Sequence, residues 1–439
     1  MSKHCSITLA LLVVLGLVTS CAVQPSDQAN PTDDEIDGGV PSQGELASSS
    51  LDYDTQPNVP VDVVNRLAQG NTSFAFDLYQ QLNDTPGNLF LSPYSVSLAL
   101  AMTYAGAAGE TERQMAETLH FTLPQEQLHS AMNQLTLTLL SRADLPEGEG
   151  FQLNIANALW GQQGYTFLDS YLDLLARDYN SGIHLVDFIT ASEEARQRIN
   201  AWVADQTEDK IKNIIPEGAL TAVTRLVLTN AIYFNAAWAS QFEEEATQPE
   251  TFTALDGTQS STPLMRQTAY YPYANNDGVV TVEIPYVGGQ LSMLLIMPPQ
   301  DEFQAFEDSL DEARLEQFLN GLESTNIRLM LPSFEFRSEF SLAQSLSDLG
   351  MPVAFSDQAD FSGIDGSQDL FLQEVLHKAF ISVDEEGTEA AAATAIIIGA
   401  TSLGEEPIEV RFDHPFIFLI RDQDTGSILF IGRLIQPQS

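Results

Sequence analysis

The chain contains very little cysteine and very little positive charge. Cys5 and Cys21 are its two cysteines, so the mature protein is expected to keep at most one and to form no intramolecular disulfide. Lysine and arginine total 18 against 61 aspartate and glutamate residues, a formal net charge of −43. Because nucleic acids and heparin-like polyanions bind to basic patches, we expect neither as a partner.

Motifs for catalysis and for metal binding are also missing from the sequence. It has no nucleophile elbow, no phosphate-binding glycine loop and no His-Glu-x-x-His pair, and its six histidines are scattered. Asp422, Asp424 and Gly426 resemble the start of a calcium loop, but Arg433 stands where that loop needs a bidentate glutamate. We therefore interpret these residues as a hairpin turn, and we expect no cofactor, no metal and no enzymatic activity.

The amino-terminal region is predicted to direct export. After Lys3, the apolar run 7–18 is too short for a stable membrane span. Val18-Thr-Ser-Cys21 resembles the lipobox of bacterial lipoproteins, in which the cysteine becomes the acylated first residue. We predict a lipoprotein signal peptide at 1–20 and lipidation of Cys21, with a plain secretory signal as the alternative. The protein would be lipid-anchored at the cell surface or outer membrane, or secreted to the extracellular space.

The next segment is predicted to be a linker. Residues 21–59 combine acidic residues with serine, glycine and proline, and they include no lysine or arginine. A segment of this composition cannot build a core, so we predict an acidic disordered linker over 21–59. One domain is expected over 60–439, where no repeat or composition break occurs.

The most informative segment of the chain is 383–403. Charged residues crowd its start, whereas the stretch 390–404 has no charged residue and no proline. In a strand, alternation would place Thr388, Ala390, Ala392 and Thr394 on one face, where small side chains cost little to bury. Composition alone also permits an ordinary buried strand or a short apolar helix.

This segment resembles the reactive-loop hinge of inhibitory serpins. The resemblance rests on the hinge residues Glu385, Glu386, Gly387, Thr388, Glu389, Ala390, Ala391, Ala392 and Ala393. Further blocks resemble the family in the expected order at 88–95, 226–234, 374–379, 413–418 and 426–432. The resemblance covers the chain from about residue 60 onward. It implies an α+β serpin fold with a large central, mostly antiparallel β-sheet, further sheets, about eight to nine helices and an exposed reactive loop.

Hydrophobic patterning predicts several elements independently of this resemblance. Helices are expected at 71–82, capped by Asn71 or Thr72, and at 192–204, where the start is similar to a capping box. A buried strand is expected at 291–297, and two more strands at 408–420 and 427–434.

The resemblance also implies positions for residues that control opening of the sheet. Ser92, Ser95, Asn230 and His377 are assigned to the shutter, where a buried polar network holds the strands together. Trp238 is assigned to the breach, where the loop first enters the sheet. From the sequence alone, His377 reads as a satisfied core histidine and Trp238 as an ordinary core aromatic.

Counting along the family's spacing from the hinge places the reactive bond between Thr401 and Ser402. The interval from Gly387 to Pro415 is a few residues longer than in common relatives, so Ala400 and Leu403 remain alternatives. Small residues around the bond favour an elastase-like or subtilisin-like protease. A bond after Leu403 would favour a chymotrypsin-like or subtilisin-like one.

The function implied is irreversible suicide-substrate inhibition of a serine protease. The protease would form an acyl-enzyme on the loop, and the cut loop would insert into the central sheet. We expect a monomer whose partners are the covalently bound protease and, through its anchor, the membrane. The alternative is a non-inhibitory serpin that acts as a surface binding or structural lipoprotein.

Overall fold

Residues 45–143, 152–388 and 406–437 are described by a computed structural model. Within these ranges ten α-helices occur, of which α7 and α10 are the shortest. They are α1 Val61–Leu82, α2 Pro93–Tyr104, α3 Gly109–Thr118, α4 Gln125–Leu140, α5 Asp169–Tyr179, α6 Ser192–Gln206, α7 Phe303–Glu307, α8 Glu312–Asn320, α9 Ala343–Leu349 and α10 Ser362–Asp365.

The strands of the described residues form two sheets. They are β1 Leu46–Ala47, β2 Leu89–Leu91, β3 Gln152–Gln162, β4 Ile183–Val186, β5 Leu226–Ala237, β6 Gln248–Thr253, β7 Gln259–Asn276, β8 Val279–Pro285, β9 Leu291–Met297, β10 Glu323–Pro332, β11 Phe334–Ser341, β12 Val375–Val383, β13 Gly387–Thr388, β14 Ile408–Arg411, β15 Phe416–Asp422 and β16 Ile428–Leu434.

The seven-stranded sheet carries the segments that the sequence singled out. Its order is β1-β4-β3-β5-β13-β12-β11, and β5 also pairs directly with β12. Most neighbours are antiparallel, whereas β3 with β4 and β5 with β12 are parallel. Both faces of β5 are covered, which explains why this strand reads as a nearly continuous apolar run.

The second sheet has nine strands, in the order β14-β10-β7-β8-β9-β15-β16-β2, with β6 paired to β7. Its inner strands supply much of the main hydrophobic core, which also takes in one side of α1 and nearly all of α2. Helix α2 carries no charged residue on any side because it is buried all round, between the two sheets.

Residues 45–59 differ from the predicted disordered linker. Leu46 and Ala47 pair with β4 and become the edge strand of the seven-stranded sheet. Farther along, the Asp54 amide donates to the Arg177 carbonyl at 2.9 Å, and the Tyr53 hydroxyl donates to Asn133 at 2.6 Å. The segment lacks a core of its own, but it forms hydrogen bonds with a sheet edge and with helices α4 and α5. The rest of the predicted linker, 21–44, lies outside the described residues.

Two other predicted boundaries are wrong, and three predictions are close, among them the strand at 427–434, which is β16 Ile428–Leu434. Helix α1 begins at Val61, not near residue 71, and the segment 408–420 contains two strands separated by residues 412–415. Strand β9 matches the predicted 291–297. Helix α6 matches 192–204 closely, although Ala191 is its N-cap and no side chain caps it.

No helix in the described ranges is long and apolar enough to cross a membrane. The predicted signal peptide at 1–20 and the predicted lipidation site Cys21 lie outside those ranges.

Candidate functional site

The predicted hinge begins as a tight hairpin at one end of the seven-stranded sheet. Strand β12 ends at Val383, and β13 returns beside it after three turn residues. The Asp384 amide donates to the Gly387 carbonyl at 2.9 Å. The Asp384 carboxylate accepts the amides of Glu386 at 3.0 Å and Gly387 at 3.1 Å. This turn reverses the chain direction, so that the next residues run between β12 and β5.

Strand β13 lies between two strands of the sheet. Gly387 and Thr388 pair with Ala237 and Ala236 of β5, and Thr388 also pairs with Val383 of β12. The Thr388 side chain is fully buried, and its hydroxyl lies 2.8 Å from the hydroxyl of Tyr286. A short threonine therefore fits a position where a long or charged side chain would clash and lose its hydration.

Gly387 is required by close packing against β5. A Cβ atom at this position would lie 2.2 Å from the carbonyl oxygen of Ala236, which belongs to the backbone and cannot move aside cheaply. The glycine thus lets the hinge approach β5 closely enough to pair with it.

Trp238, assigned to the breach, lies directly against the hinge hairpin. Its ring stacks on Tyr286 with centroids 4.7 Å apart and planes within 9°. Its indole nitrogen donates to the Asp384 carbonyl at 2.9 Å, and its amide donates to the Glu386 carbonyl at 2.9 Å. The tryptophan therefore fixes the turn from which β13 starts.

The hinge hairpin carries three acidic side chains, those of residues 384–386, and they are partly buried. Burial raises the pKa of Asp384, and the nearby negative charges of Glu385 and Glu244 raise it further. The Glu385 carboxylate accepts the Thr247 hydroxyl at 2.5 Å, and its backbone carbonyl accepts the Phe242 amide at 2.9 Å. Hydrogen bonds from backbone amides and from the Thr247 hydroxyl thus hold this turn.

The four residues assigned to the shutter meet in one buried network. His377 of β12 contacts the Asn230 side chain of β5, and Asn230 donates to the Ser95 hydroxyl at 2.6 Å. The Ser92 hydroxyl donates to the Leu429 carbonyl at 2.6 Å and accepts the Ser95 amide at 3.2 Å. The network joins β12 and β5 to the start of α2 and to the second sheet.

His377 is neutral, and its partners define where its proton lies. The Ser92 amide donates to Nε2 at 3.1 Å, so Nδ1 carries the hydrogen and donates to Asn230. Burial lowers the pKa of His377 to about 3. The imidazole thus bridges the two strands without charge over the neutral pH range.

A fifth network member, Asn157 of β3, was missed in the sequence. Its carboxamide oxygen accepts from Asn230 and from the Ser95 hydroxyl at 3.2 Å, and its nitrogen donates to the Ser95 carbonyl at 3.0 Å. Strand β3 also contains Gln152, Asn154 and Gln162, so a polar residue at position 157 carried no distinct signal. Tyr286, which holds Thr388, follows the end of β8 and offered no such signal.

The hinge and the shutter lie at different positions along one seam, the boundary between β5 and β12. From Val375 to Phe380, β12 pairs directly with β5 in parallel. Beyond Phe380, toward Val383, β13 lies between the same two strands. If β13 grew toward the shutter, it would have to replace the direct pairing and separate His377 from Asn230.

The rest of the predicted loop is not among the described residues. This applies to Glu389, Ala390, Ala391, Ala392 and Ala393 of the hinge, and to Ala400, Thr401, Ser402 and Leu403 around the predicted reactive bond.

The segment after Asp422 forms a hairpin turn between β15 and β16. The Asp422 carboxylate accepts the Thr425 amide at 2.8 Å, and Arg142 forms ion pairs with both Asp422 and Asp424. A single arginine side chain thus pairs with both carboxylates. Across the described ranges, no group of three or more His, Cys, Asp or Glu side chains is arranged to hold a metal ion.

Comparisons with known proteins agree with this geometry. The family model described as serpin (serine protease inhibitor) matches residues 69–437. An uncharacterized serpin-like protein of Thermococcus kodakarensis is 40% identical over 393 residues, which cover 88% of this chain and 90% of that protein. The leukocyte elastase inhibitor of Xenopus laevis is 38% identical over 384 residues, covering 85% of this chain and all of that protein.

Solved structures extend the likeness to the fold. Tengpin, a thermophilic serpin crystallised in its native state, superposes with a TM-score of 0.75 at 28% identity, covering 89% of this chain and 97% of tengpin. The predicted α+β serpin fold is confirmed. The hinge, the sheet it enters and the family match lead to one conclusion: this chain belongs to the serpin family.

Proposed function

We propose that the chain is an irreversible suicide-substrate inhibitor of serine endopeptidases, with elastase-like or subtilisin-like enzymes as targets. Members of its family are mostly protease inhibitors, and the small residues predicted around the reactive bond fit a restricted specificity pocket. The observation that carries the proposal is β13, whose two residues already occupy the first positions of a new strand between β5 and β12.

In the proposed reaction the chain is a substrate and not an enzyme. The serine hydroxyl of the protease attacks the carbonyl carbon of Thr401, and the bond to the Ser402 nitrogen breaks. That nitrogen takes the proton and leaves as a new amino terminus, while Thr401 keeps an ester to the protease. Trapping requires that the ester be carried away from water before hydrolysis completes the cleavage.

Insertion of the cut loop would supply that movement. Residues after Thr388 would extend β13 along the seam, adding backbone hydrogen bonds to β5 and β12. Ala390, Ala392 and Thr394 share an alternating face with Thr388, so small uncharged side chains would follow it into the sheet. The free energy released must exceed the cost of separating His377 from Asn230.

A panel of serine proteases tests this proposal. The chain is mixed with elastase-like, subtilisin-like, chymotrypsin-like and trypsin-like enzymes, and boiled SDS samples are examined for a band of summed mass. We expect such a band with an elastase-like or subtilisin-like enzyme, and none when its active-site serine is blocked beforehand. If every protease merely cleaves the chain and stays active, the inhibitor proposal fails and the non-inhibitory alternative gains support.

We also propose that the inhibitor is a monomer that is exported and held at the membrane through lipid on Cys21. The lipobox-like sequence supports this placement, and roughly 0.8 kcal/mol per buried methylene makes two or more acyl chains a stable anchor. Cys21→Ser should release the protein to the medium or leave an unprocessed precursor. Mass spectrometry that finds a free, unmodified amino terminus downstream of Cys21 would leave a plain secreted protein.

A further inference from the structure

A short segment crosses the seam between β5 and β12 on the face of the sheet that α6 covers. This crossing segment comprises residues 207–214, which follow the end of α6. At one end, Gln152 of β3 donates to the Glu208 carboxylate at 2.7 Å. Farther along, Arg337 of β11 donates to the Lys210 carbonyl at 3.3 Å. The crossing segment therefore reaches from β3, on one side of the seam, to β11 on the other.

The side chain of Lys210 lies over two aromatic rings that belong to opposite sides of the seam. Its Nζ is 5.8 Å from the ring centroid of Tyr233 on β5 and 5.6 Å from that of Phe380 on β12. Both aromatic residues are 2% exposed, and Lys210 is itself partly buried. A cation within about 6 Å of a ring centroid is attracted to the negative face of the ring. One ammonium group thus joins the two strands across the seam.

This contact lies at the point where direct pairing of the two strands begins. Phe380 and Tyr233 form the last direct pair between β12 and β5. Three residues beyond Phe380, Val383 pairs with Thr388 of β13 instead. If β13 grew in its present register, the third residue after Thr388 would come between the two aromatic residues. An inserting strand must therefore separate these rings before it reaches the shutter.

Insertion would break the contact of Lys210 with at least one of the rings. Neighbouring strands lie about 4.8 Å apart, so a strand added between β5 and β12 would double their separation. A cation placed between two separated rings meets their positive edges and not their negative faces. The attraction to both rings thus belongs to the uncleaved protein and is lost on insertion.

Three of the 18 basic residues of the chain hold the crossing segment. Besides Lys210, they are Lys378 of β12, which donates to the Asn213 carbonyl at 2.7 Å, and Arg337. Arg337 also lies over the Phe380 ring, with its guanidinium carbon 4.6 Å from the centroid. Because Arg337 and Phe380 are on the neighbouring strands β11 and β12, opening of the seam leaves that contact intact. Of the three basic residues, Lys210 is the one whose side chain contacts rings on both sides.

We propose that Lys210 is a positioning residue for the trapping reaction, and that its contact with Tyr233 and Phe380 slows extension of β13 along the seam. The proposal rests on the inhibitory function proposed above and names a residue that sets the speed of insertion. Faster insertion would trap more acyl-enzyme before hydrolysis, but it would also let the uncleaved loop enter the sheet early. The contact of Lys210 therefore balances speed of trapping against persistence of the active form.

Variants of two lysines in the same segment test the proposal. Lys210→Met keeps the length of the side chain without its charge, and Lys210→Arg keeps a cation over the rings. Lys212→Met is the matched control, because Lys212 is 60% exposed and pairs with Asp209 at 3.2 Å. Insertion is followed by tryptophan fluorescence after rapid mixing with excess target protease. We expect about three- to fivefold faster insertion for Lys210→Met, and rates near the wild-type value for Lys210→Arg and Lys212→Met.

Unfolding midpoints before and after a cut within residues 399–403 separate this role from ordinary packing. For Lys210→Met we expect the midpoint of the uncleaved protein to fall by about 2 °C. The midpoint of the cut protein should stay within about 1 °C of the wild-type value, because the contact is already broken there. An equal fall in both forms would make Lys210 an ordinary packing residue and reject the proposal. An unchanged insertion rate, or an equal response from Lys212→Met, would reject it as well.

The same midpoints distinguish failure of this proposal from failure of the inhibitory function. A wild-type protein that traps no protease would end the inhibitory function. A fall confined to the uncleaved form of Lys210→Met would still show that the contact holds the seam closed. Efficient trapping by the wild type, with insertion rates that Lys210→Met leaves unchanged, would keep the inhibitory function and reject the role of Lys210.

Discussion

The two ends of the seam between β5 and β12 differ in what lies between the strands. At one end, Gly387 and Thr388 separate them and bond to both. At the other, the strands pair directly, and His377 contacts Asn230 across the seam. Inserting a new strand requires that its first residues pair with the sheet and that the neighbouring strands separate. Here β13 already provides the first pairs. The remaining cost lies in opening a seam that one buried polar network holds closed.

The largest effect on protease trapping is expected from a charge at Thr388, where β13 separates β5 from β12. Thr388→Arg would place a cation beside Tyr286, where burial without a partner costs several kcal/mol. The hinge would leave the sheet, and insertion would become slower than hydrolysis of the ester. We expect the yield of SDS-stable complex to fall by more than about tenfold, since about 1.4 kcal/mol already gives that factor.

Glu386→Arg is the matched control for this substitution. Glu386 belongs to the same hairpin, but its side chain is only partly buried. We expect the control to keep most of the wild-type yield. A Thr388→Arg protein that traps protease as efficiently as the wild type would show that pairing of the hinge does not limit insertion.

A smaller effect, on thermal stability, is expected at His377, where β5 and β12 pair directly. His377→Ala leaves the Ser92 amide and the Asn230 oxygen without their partners, and each unsatisfied buried group costs about 1–3 kcal/mol. Thermal unfolding of the uncleaved protein should then begin several degrees lower, since about 1 kcal/mol shifts the midpoint by about 2 °C in a large domain. His120→Ala is the control, because His120 bonds to Asp77 at the surface. Equal midpoints for the two variants would contradict a closing role for His377.

A further effect concerns pH, and its sign follows from the lowered pKa of His377. In the unfolded chain this histidine takes up a proton near pH 6.5, whereas in the folded protein it does so near pH 3. Stability from this group is therefore complete above about pH 6.5 and is lost as the pH falls toward 3, at up to about 1.4 kcal/mol per pH unit. Burial also lowers the pKa of His129, to about 4, which acts in the same direction.

His377→Gln isolates the contribution of His377 to this pH dependence. Denaturant unfolding between pH 7 and 4 should show a shallower loss of stability for the variant than for the wild type. Identical slopes would mean that another group governs the acid sensitivity of the fold.

The sequence predicted the hinge better than it predicted the surroundings of the hinge. Gly387 and Thr388 could be recognised because contacts with β5 restrict the residue types that fit there. Asn157 and Tyr286 could not be assigned to the site, because their roles depend on which strands become neighbours in the folded sheet. Local patterning carries no information about such long-range pairing.

The errors at the amino-terminal side have similar causes. Asn71 or Thr72 was read as the cap that starts a helix, yet both lie inside α1, as does Gly70 before them. A Cβ at Gly70 would lie 2.5 Å from the His120 carbonyl, and Asn71 accepts the Ser97 hydroxyl at 2.8 Å. Packing against neighbours thus outweighs weak helix propensity. Residues 45–59 were read as disordered because composition does not reveal that β4 offers a free edge.

The most direct test is thermal unfolding before and after a single cut within residues 399–403, at fixed salt and pH. If β13 is the start of an unfinished strand, the cut should let the loop extend it. The unfolding midpoint should then rise by on the order of 10 °C or more, at about 2 °C for each kcal/mol gained. A midpoint that stays the same or falls after the cut would contradict a native fold held short of its most stable state.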